Sequence, residues 1–286
     1  MITISKTNGP VSMRYSQSPA FLSRLIMGLA ICAAASWSMT AAFAADMSAG
    51  QVTQALFKAK AGETVNLAAK NLRELDLAGI DFKGANLAGS DLFGVDLSNA
   101  NLKGVDLKGA FLDRANVARA DFSGANLEGG SLLRMTIFTT LERNPLEAPK
   151  FKGAKMQRTV LSGWMDGTDF SDCDLTGAVF GLQDAHNEGL LASRVRLVGA
   201  DFSGATMTGV DLNGSQLTHA HFVKAIVRDV NFRDTDLIHA DFTDADVTGM
   251  DVTGADLEDA KFTGAKGIDT IKGLAQALNA THVVAK

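Results

Sequence analysis

The sequence predicts an all-β protein, a parallel β-helix with a four-sided turn and a short helix at each end. Three observations predict it. First, a five-residue beat runs as VNLAA KNLRE LDLAG IDFKG from Val65, and returns as GADFS GATMT GVDLN GSQLT through to Phe262. A large apolar residue recurs at every fifth position, with a small residue two before it and Asp or Asn between. A unit this short has no core of its own and buries its apolar residue only by stacking on the next turn. Second, Phe202, Phe222, Phe242 and Phe262 fall twenty apart, as do Leu197, Leu217, Leu237 and Leu257. Plain five-fold repetition would not segregate Phe from Leu, whereas a coil of four repeats gives each its own column. Third, both flanks carry helical patterns, and the open ends of a solenoid need covers.

Residues 1–44 read as a signal peptide. Lys6, Arg14 and Arg24 precede an apolar run from Leu25 to Ala35, and Ala42-Phe43-Ala44 supplies the small residues of a cleavage site. A lipoprotein at Cys32 is the weaker alternative, because Ile31 is bulky where a small residue is needed; an uncleaved anchor is another. Cleavage after Ala44 removes three basic residues and takes the net charge from −5 to −8. It places the mature chain in the periplasm or outside a bacterial cell, with no membrane span.

Residues 45–63 follow as an N-terminal capping helix, with Ser48 as the cap and Val52, Ala55, Leu56 and Ala59 on one face, ending at Gly62. Residues 64–266 form the β-helix, with loops near 138–148 and 181–194. Its centres run in register from Leu67 to Ile137, resume at Phe151, slip by one residue to Met165, and restart at Leu197. With both loops outside the coil, one column reads Phe82, Leu102, Phe122, Phe151, Phe170, Phe202, Phe222, Phe242, Phe262. That count gives about nine coils and a rod on the order of 43 Å at strand spacing. The competing reading makes AHNEG LLASR two degenerate repeats, which puts Asn187 at a centre and moves Leu197 off its column. Residues 267–286 read as a C-terminal capping helix and tail, with Asp269 as the cap and Ile271, Leu274 and Leu278 on the buried face. A helix at one end could also join two copies end to end.

The motif A(D/N)LxG resembles that of the pentapeptide-repeat proteins over most of the chain. The resemblance implies that the central Leu or Phe and the small residue before it point inward, and that four pentapeptides make one turn of a right-handed quadrilateral β-helix. It is specific for fold and unspecific for function.

Motifs of enzymes dissolve once the period is seen. Recurrent glycine generates GxxxxG spacings that never continue into Gly-Lys-Ser/Thr, and HExxH, GxSxG and CxxC are missing from the sequence. Asp244, Asp246 and Gly249 begin like a calcium loop, but Ala255 stands where a bidentate Glu is needed. The recurrent Asp reads as turn-forming polarity, and Cys173, in the inward slot before Leu175, as a small buried hydrophobe. One constellation stands out: His219 and His239 share an outward column, with His221 and Asp241 beside them, a place where a divalent transition metal could bind. The plainer reading is a pair of histidines on a solvated face.

The expected function is therefore a non-enzymatic exported scaffold without a cofactor, binding an unidentified protein partner through its flat faces and through the loops that carry Leu141, Arg143, Leu146, His186 and Leu190. An alternative implied by the resemblance is a duplex mimic that inhibits or protects DNA gyrase. A duplex carries one charge per about 1.7 Å, which the acidic excess here does not approach, and nucleic acid itself is not an expected partner. A secreted effector is a further alternative.

Overall fold

The computed structural model describes residues 44–60, 62–137, 144–181 and 195–282. It divides into Met1–Ala44 and Ala45–Lys286, and the architecture below is that of the second unit.

Each pentapeptide is built alike. The Asp or Asn before the centre bridges in parallel to its equivalent twenty residues on, as Asn66 does to Asn86 and Asp106 to Asn126. The centre then donates its N–H to the coil ahead, as from Leu67 to the Asn86 carbonyl at 2.7 Å. The bridging residue donates to the coil behind, as from Asn86 to the Val65 carbonyl at 2.9 Å. Two residues past the centre the chain turns through a left-handed conformation, which is why glycine recurs there; Arg114, Arg119, His219 and His239 adopt it too, with φ from 57° to 60°. The bridging carboxylate or amide accepts from the N–H two residues on, as Asp96 does from Ser98 at 2.8 Å and Asp201 from Ser203 at 2.9 Å. The recurrent Asp and Asn are thus turn-forming groups.

Inside, the Phe column is continuous. Phe122, Phe151, Phe170, Phe202, Phe222, Phe242 and Phe262 stack with centroids 4.6 to 5.3 Å apart and ring planes within 12°. Phe180 and Phe232, from the opposite column, meet this stack edge-on. From Phe82 onward, Ala, Val, Ser, Thr and Cys173 fill most of the slots two before a centre and are buried there. Where this slot is polar its group mostly turns to a carbonyl, as Ser90 does to Leu87 at 2.7 Å and Thr235 to Leu212 at 3.0 Å.

The bridges carry the register past both interruptions. Asp121 pairs with Lys150, nine residues more than one coil, and Trp164 with Arg196, twelve more. Between them Lys150 pairs with Asp169, one residue less than a coil, the slip that brings Met165 into its column. Residues 138–143 and 182–194, on which most of the expected loops fall, lie outside the described residues. The end of the first is held down: Pro145–Glu147 forms a 3₁₀ turn, and buried Glu147 meets Arg119 twice, its carbonyl 2.7 Å from the Arg119 N–H and its carboxylate 2.9 Å from the guanidinium. Three two-residue strands make a parallel ladder, β1 (Ser131–Leu132), β2 (Val160–Leu161) and β3 (Val179–Phe180). Here no Asp or Asn precedes the centre, and Asp113, one coil earlier, accepts from the Ser131 hydroxyl at 2.5 Å and the Leu133 N–H at 3.0 Å.

At the N-terminal side α1 (Ala49–Lys58) begins in a capping box, the Ser48 hydroxyl accepting from Gln51 N–H and the Gln51 amide from Ser48 N–H. Val52 and Leu56 are buried in the core, and Lys83 Nζ reaches the Leu56 carbonyl at 3.0 Å. The C-terminal side corrects the sequence reading. Among the described residues no α-helix follows Asp269; the chain makes 3₁₀ turns at Ile268–Thr270, Leu274–Gln276 and Ala280–His282. Lys272 and Leu278 instead pair with Asp251 and Asp256 of the coil below, and Leu278, expected on a buried face, is exposed. Left-handed Gly267 and Gly273 interrupt any helix, and pairing with the exposed coil edge satisfies backbone groups that a helix would have left open.

Candidate functional site

With the interior filled, the chemistry of this chain lies in its outward columns. The Asp or Asn position of each coil side forms the middle of a face, and the two residues after the centre form its corner.

His219 and His239 occupy successive coils of one corner and stack, ring centroids 4.8 Å apart and planes 13° from parallel. His239 Nδ1 lies 3.6 Å from Asp259 Oδ2. His221 bridges Asp241 on the adjacent face, and Asp241 Oδ1 accepts from Thr243 N–H at 2.9 Å and its hydroxyl at 2.5 Å. Partial burial works to raise the Asp241 pKa, but the Thr243 hydrogen bonds, with Lys261 and His221 nearby, hold it below the usual value. The structure places all four expected ligands in neighbouring columns yet does not assemble them. Parallel imidazoles cannot both aim a lone pair at one point, and Asp241 is engaged by its own turn. Among the described residues no three His, Cys, Asp or Glu side chains form a group able to hold a metal ion.

Of the expected loop contacts, Leu141, Arg143, His186 and Leu190 fall outside the described residues. Leu146 is on the 3₁₀ turn and 83 % exposed, an apolar side chain presented to solvent beside the anchored Glu147.

Elsewhere the carboxylates serve the surface lattice. Asp246 takes two hydrogen bonds from Arg228, at 2.8 and 2.5 Å, and others from Thr248. These bonds, the Arg228 pair first, bring its pKa down to about 2. Asp166 is buried against Arg196 at 2.6 Å and accepts from the Val198 N–H, closing the coil where the second interruption rejoins it. Cys173 is 1 % exposed with Sγ 2.8 Å from the Phe151 carbonyl, and burial pushes its pKa up to about 12.

Two groups escaped the sequence reading. Phe93 lies beneath the Arg73 guanidinium at 4.2 Å, with Arg114 at 5.6 Å. Phe111, Val160 and Val179, like Trp164 and Ile226 on other faces, stand at the face position that Asp or Asn holds in most repeats, and Phe111 is 55 % exposed. Reading that position by column, twenty residues at a time, would have found them; following only the inward centres hid them.

The model of the family described as pentapeptide repeats matches eight copies, over residues 65–99, 100–132, 196–234, 215–254 and 240–266. No curated protein matches the chain. Among solved structures, it is similar to HetL, a pentapeptide repeat protein involved in heterocyst differentiation regulation from the cyanobacterium Nostoc sp. strain PCC 7120, at 22 % identity over 81 % of this chain and 94 % of HetL, with a TM-score of 0.31. It is also similar to QnrB1, a plasmid-mediated fluoroquinolone resistance protein, at 18 % identity over 68 % of this chain and 86 % of that one, TM-score 0.36. A third is Rfr23 from the cyanobacterium Cyanothece 51142, at 18 % identity over 55 % and 90 %, TM-score 0.22. The repeat running from Val65 to Phe262, its stacking by four pentapeptides and the matched copies together make this chain a member of the pentapeptide-repeat family, whose proteins fold as right-handed quadrilateral β-helices.

Proposed function

We propose that this protein is an exported, non-enzymatic scaffold that binds a protein partner through its flat faces and through the two segments that leave the coil. The observation that carries this reading is the filled interior. The stacked Phe column, the buried Leu, Met and Val centres of the other columns and the small side chains between them fill the interior, so a partner meets only the outer lattice. That lattice is rigid, because each bridging Asp or Asn is tied to its own turn and Arg73, Arg228 and Arg233 tie neighbouring coils together. Rigid, periodic surfaces bind with little ordering cost, which suits recognition.

On this reading the chain stacks about nine coils, α1 covers the first coil with Val52 and Leu56, and the C-terminal turns cover the last. Export rests on the basic and apolar pattern of residues 1–44 and leads to the periplasm or the medium. No helix among the described residues is long and apolar enough to cross a membrane. The test is fractionation of the source cells, intact-mass measurement of the chain, and crosslinking in the compartment that holds it. The expected product begins at or close to Ala45 and crosslinks to a distinct protein; a chain that retains residues 1–44 in the cytosol refutes export.

A further inference from the structure

We infer that the face carrying Phe111, Ser131, Val160 and Val179 is a self-association surface on which two copies of this chain lie side by side and antiparallel. Along this face the middle position reads Asn71, Asp91, then those four residues, then Asp211, Asn231 and Asp251. The middle position is thus uncharged in four consecutive coils, with charged or amide groups before and after them, and the one carboxylate against it, Asp113, is engaged by Ser131 and the Leu133 N–H. Three of the four uncharged positions, Ser131, Val160 and Val179, belong to the β1–β3 ladder. Phe111 is more than half exposed although Asp or Asn would cost nothing to place there, and Val160 and Val179 are half-buried. An exposed aromatic side chain beside part-exposed apolar ones, inside a polar border, is what an interface presents.

The geometry fits a second copy. A two-fold axis through the centre of these four positions, between Ser131 and Val160, sets Phe111 of one copy against Val179 of the other, bulky against small, and Ser131 against Val160. An isologous contact requires this kind of self-complementarity. Charge sets the orientation. Residues 45–162 hold fifteen Lys and Arg against thirteen Asp and Glu, a net of +2; residues 163–286 hold nine against nineteen, a net of −10. Parallel copies would bring the two acidic halves together, whereas antiparallel copies lay each acidic half along the weakly basic half of the other. The contact leaves both ends of the rod free, so it is distinct from end-to-end pairing, and it does not depend on export or on any other partner.

The test is the mass in solution of the protein purified from its source cells, by sedimentation and light scattering at micromolar concentration. The expected species is a dimer. Phe111→Asp should weaken it by on the order of thirtyfold or more, as for loss of a central apolar anchor, while the dissociated chain keeps its β-helical far-ultraviolet circular dichroism because the side chain points outward. Ile226→Asp, a comparable change on another face, should leave the dimer intact. Orientation is read from thiol crosslinks: the double variant Phe111→Cys/Val179→Cys should link position 111 of one copy to 179 of its partner, and the single variant Phe111→Cys should not link. A monomer at these concentrations, a dimer indifferent to Phe111→Asp, or a 111-to-111 crosslink each overturns the inference.

Discussion

Phe222 lies between Phe202 and Phe242, 5.1 and 4.6 Å away, and meets Phe232 edge-on. Phe222→Ala would open a cavity that rings fixed in neighbouring coils cannot collapse to fill, so it should cost about 3–5 kcal/mol. Thr208→Ala, an outward change one coil away, should stay within about 0.5 kcal/mol. Urea midpoints check the pair, and similar values for the two would refute the inward stack. Cys173 gives a second residue-scale expectation. Its thiol is buried and held protonated by that burial, and only thiolate attacks disulfides and electrophiles. Ellman's reagent at pH 8 should leave it untouched in the folded protein and modify it fully in denaturant; rapid reaction with the folded chain would show that the slot opens. The inward residues, Cys173 included, were legible from their place in the repeat. The outward ones were not, because a bridging Asp, a bridging Phe111 and a corner His239 all satisfy the same backbone.

At the scale of elements, the two flanks show which signals in a sequence survive tertiary competition. The capping box of Ser48 and Gln51 is local, and α1 starts after Ser48 as expected but ends at Lys58, short of the expected Gly62. The C-terminal pattern of Ile271, Leu274 and Leu278 is just as helical in spacing, but it lies beside a coil edge whose backbone groups are unpaired. Pairing won: Lys272 N–H donates to the Met250 carbonyl at 2.9 Å and Leu278 N–H to that of Ala255 at 2.7 Å. Gly273 makes the fit, with φ 73° and no room for a side chain, since a Cβ would come within 2.6 Å of the Thr253 nitrogen and 2.7 Å of its Cα. Gly273→Ala should therefore raise amide exchange at Lys272 and Leu278 while leaving the central coils protected. Unchanged exchange at those amides would show that this turn does not hold the edge. The candidate metal set failed for a reason of the same kind. Column position brought His219, His221, His239 and Asp241 near one another, but ring orientation and the claim of Thr243 on Asp241 are not written in spacing.

For the whole molecule, the lattice of bridging carboxylates predicts the response to acid. Asp246 is held at about 2, first by its hydrogen bonds with Arg228 and then by those with Thr248. Asp121, Asp174 and Asp251 also lie below the ordinary 3.8, their partial burial outweighed by hydrogen bonds from Ser123, Thr176 and Thr253 respectively. A carboxylate whose folded pKa is depressed contributes stability that is complete above its unfolded value and is lost as pH falls through the folded one. The thermal midpoint should therefore change little from pH 7 to about 4.5 and fall from about pH 4 to about 2. Because these groups belong to turns repeated in every coil, the loss should be spread along the rod and cooperative rather than confined to one end. Asp246→Asn keeps an acceptor for the Thr248 N–H but removes the charge facing Arg228, so it should lower the midpoint at pH 7 and flatten the fall below pH 4. A midpoint that holds to pH 2 in the unmodified protein would mean that the Asx turns stabilise the coil equally well protonated, and that packing of the Phe and Leu columns alone sets its stability.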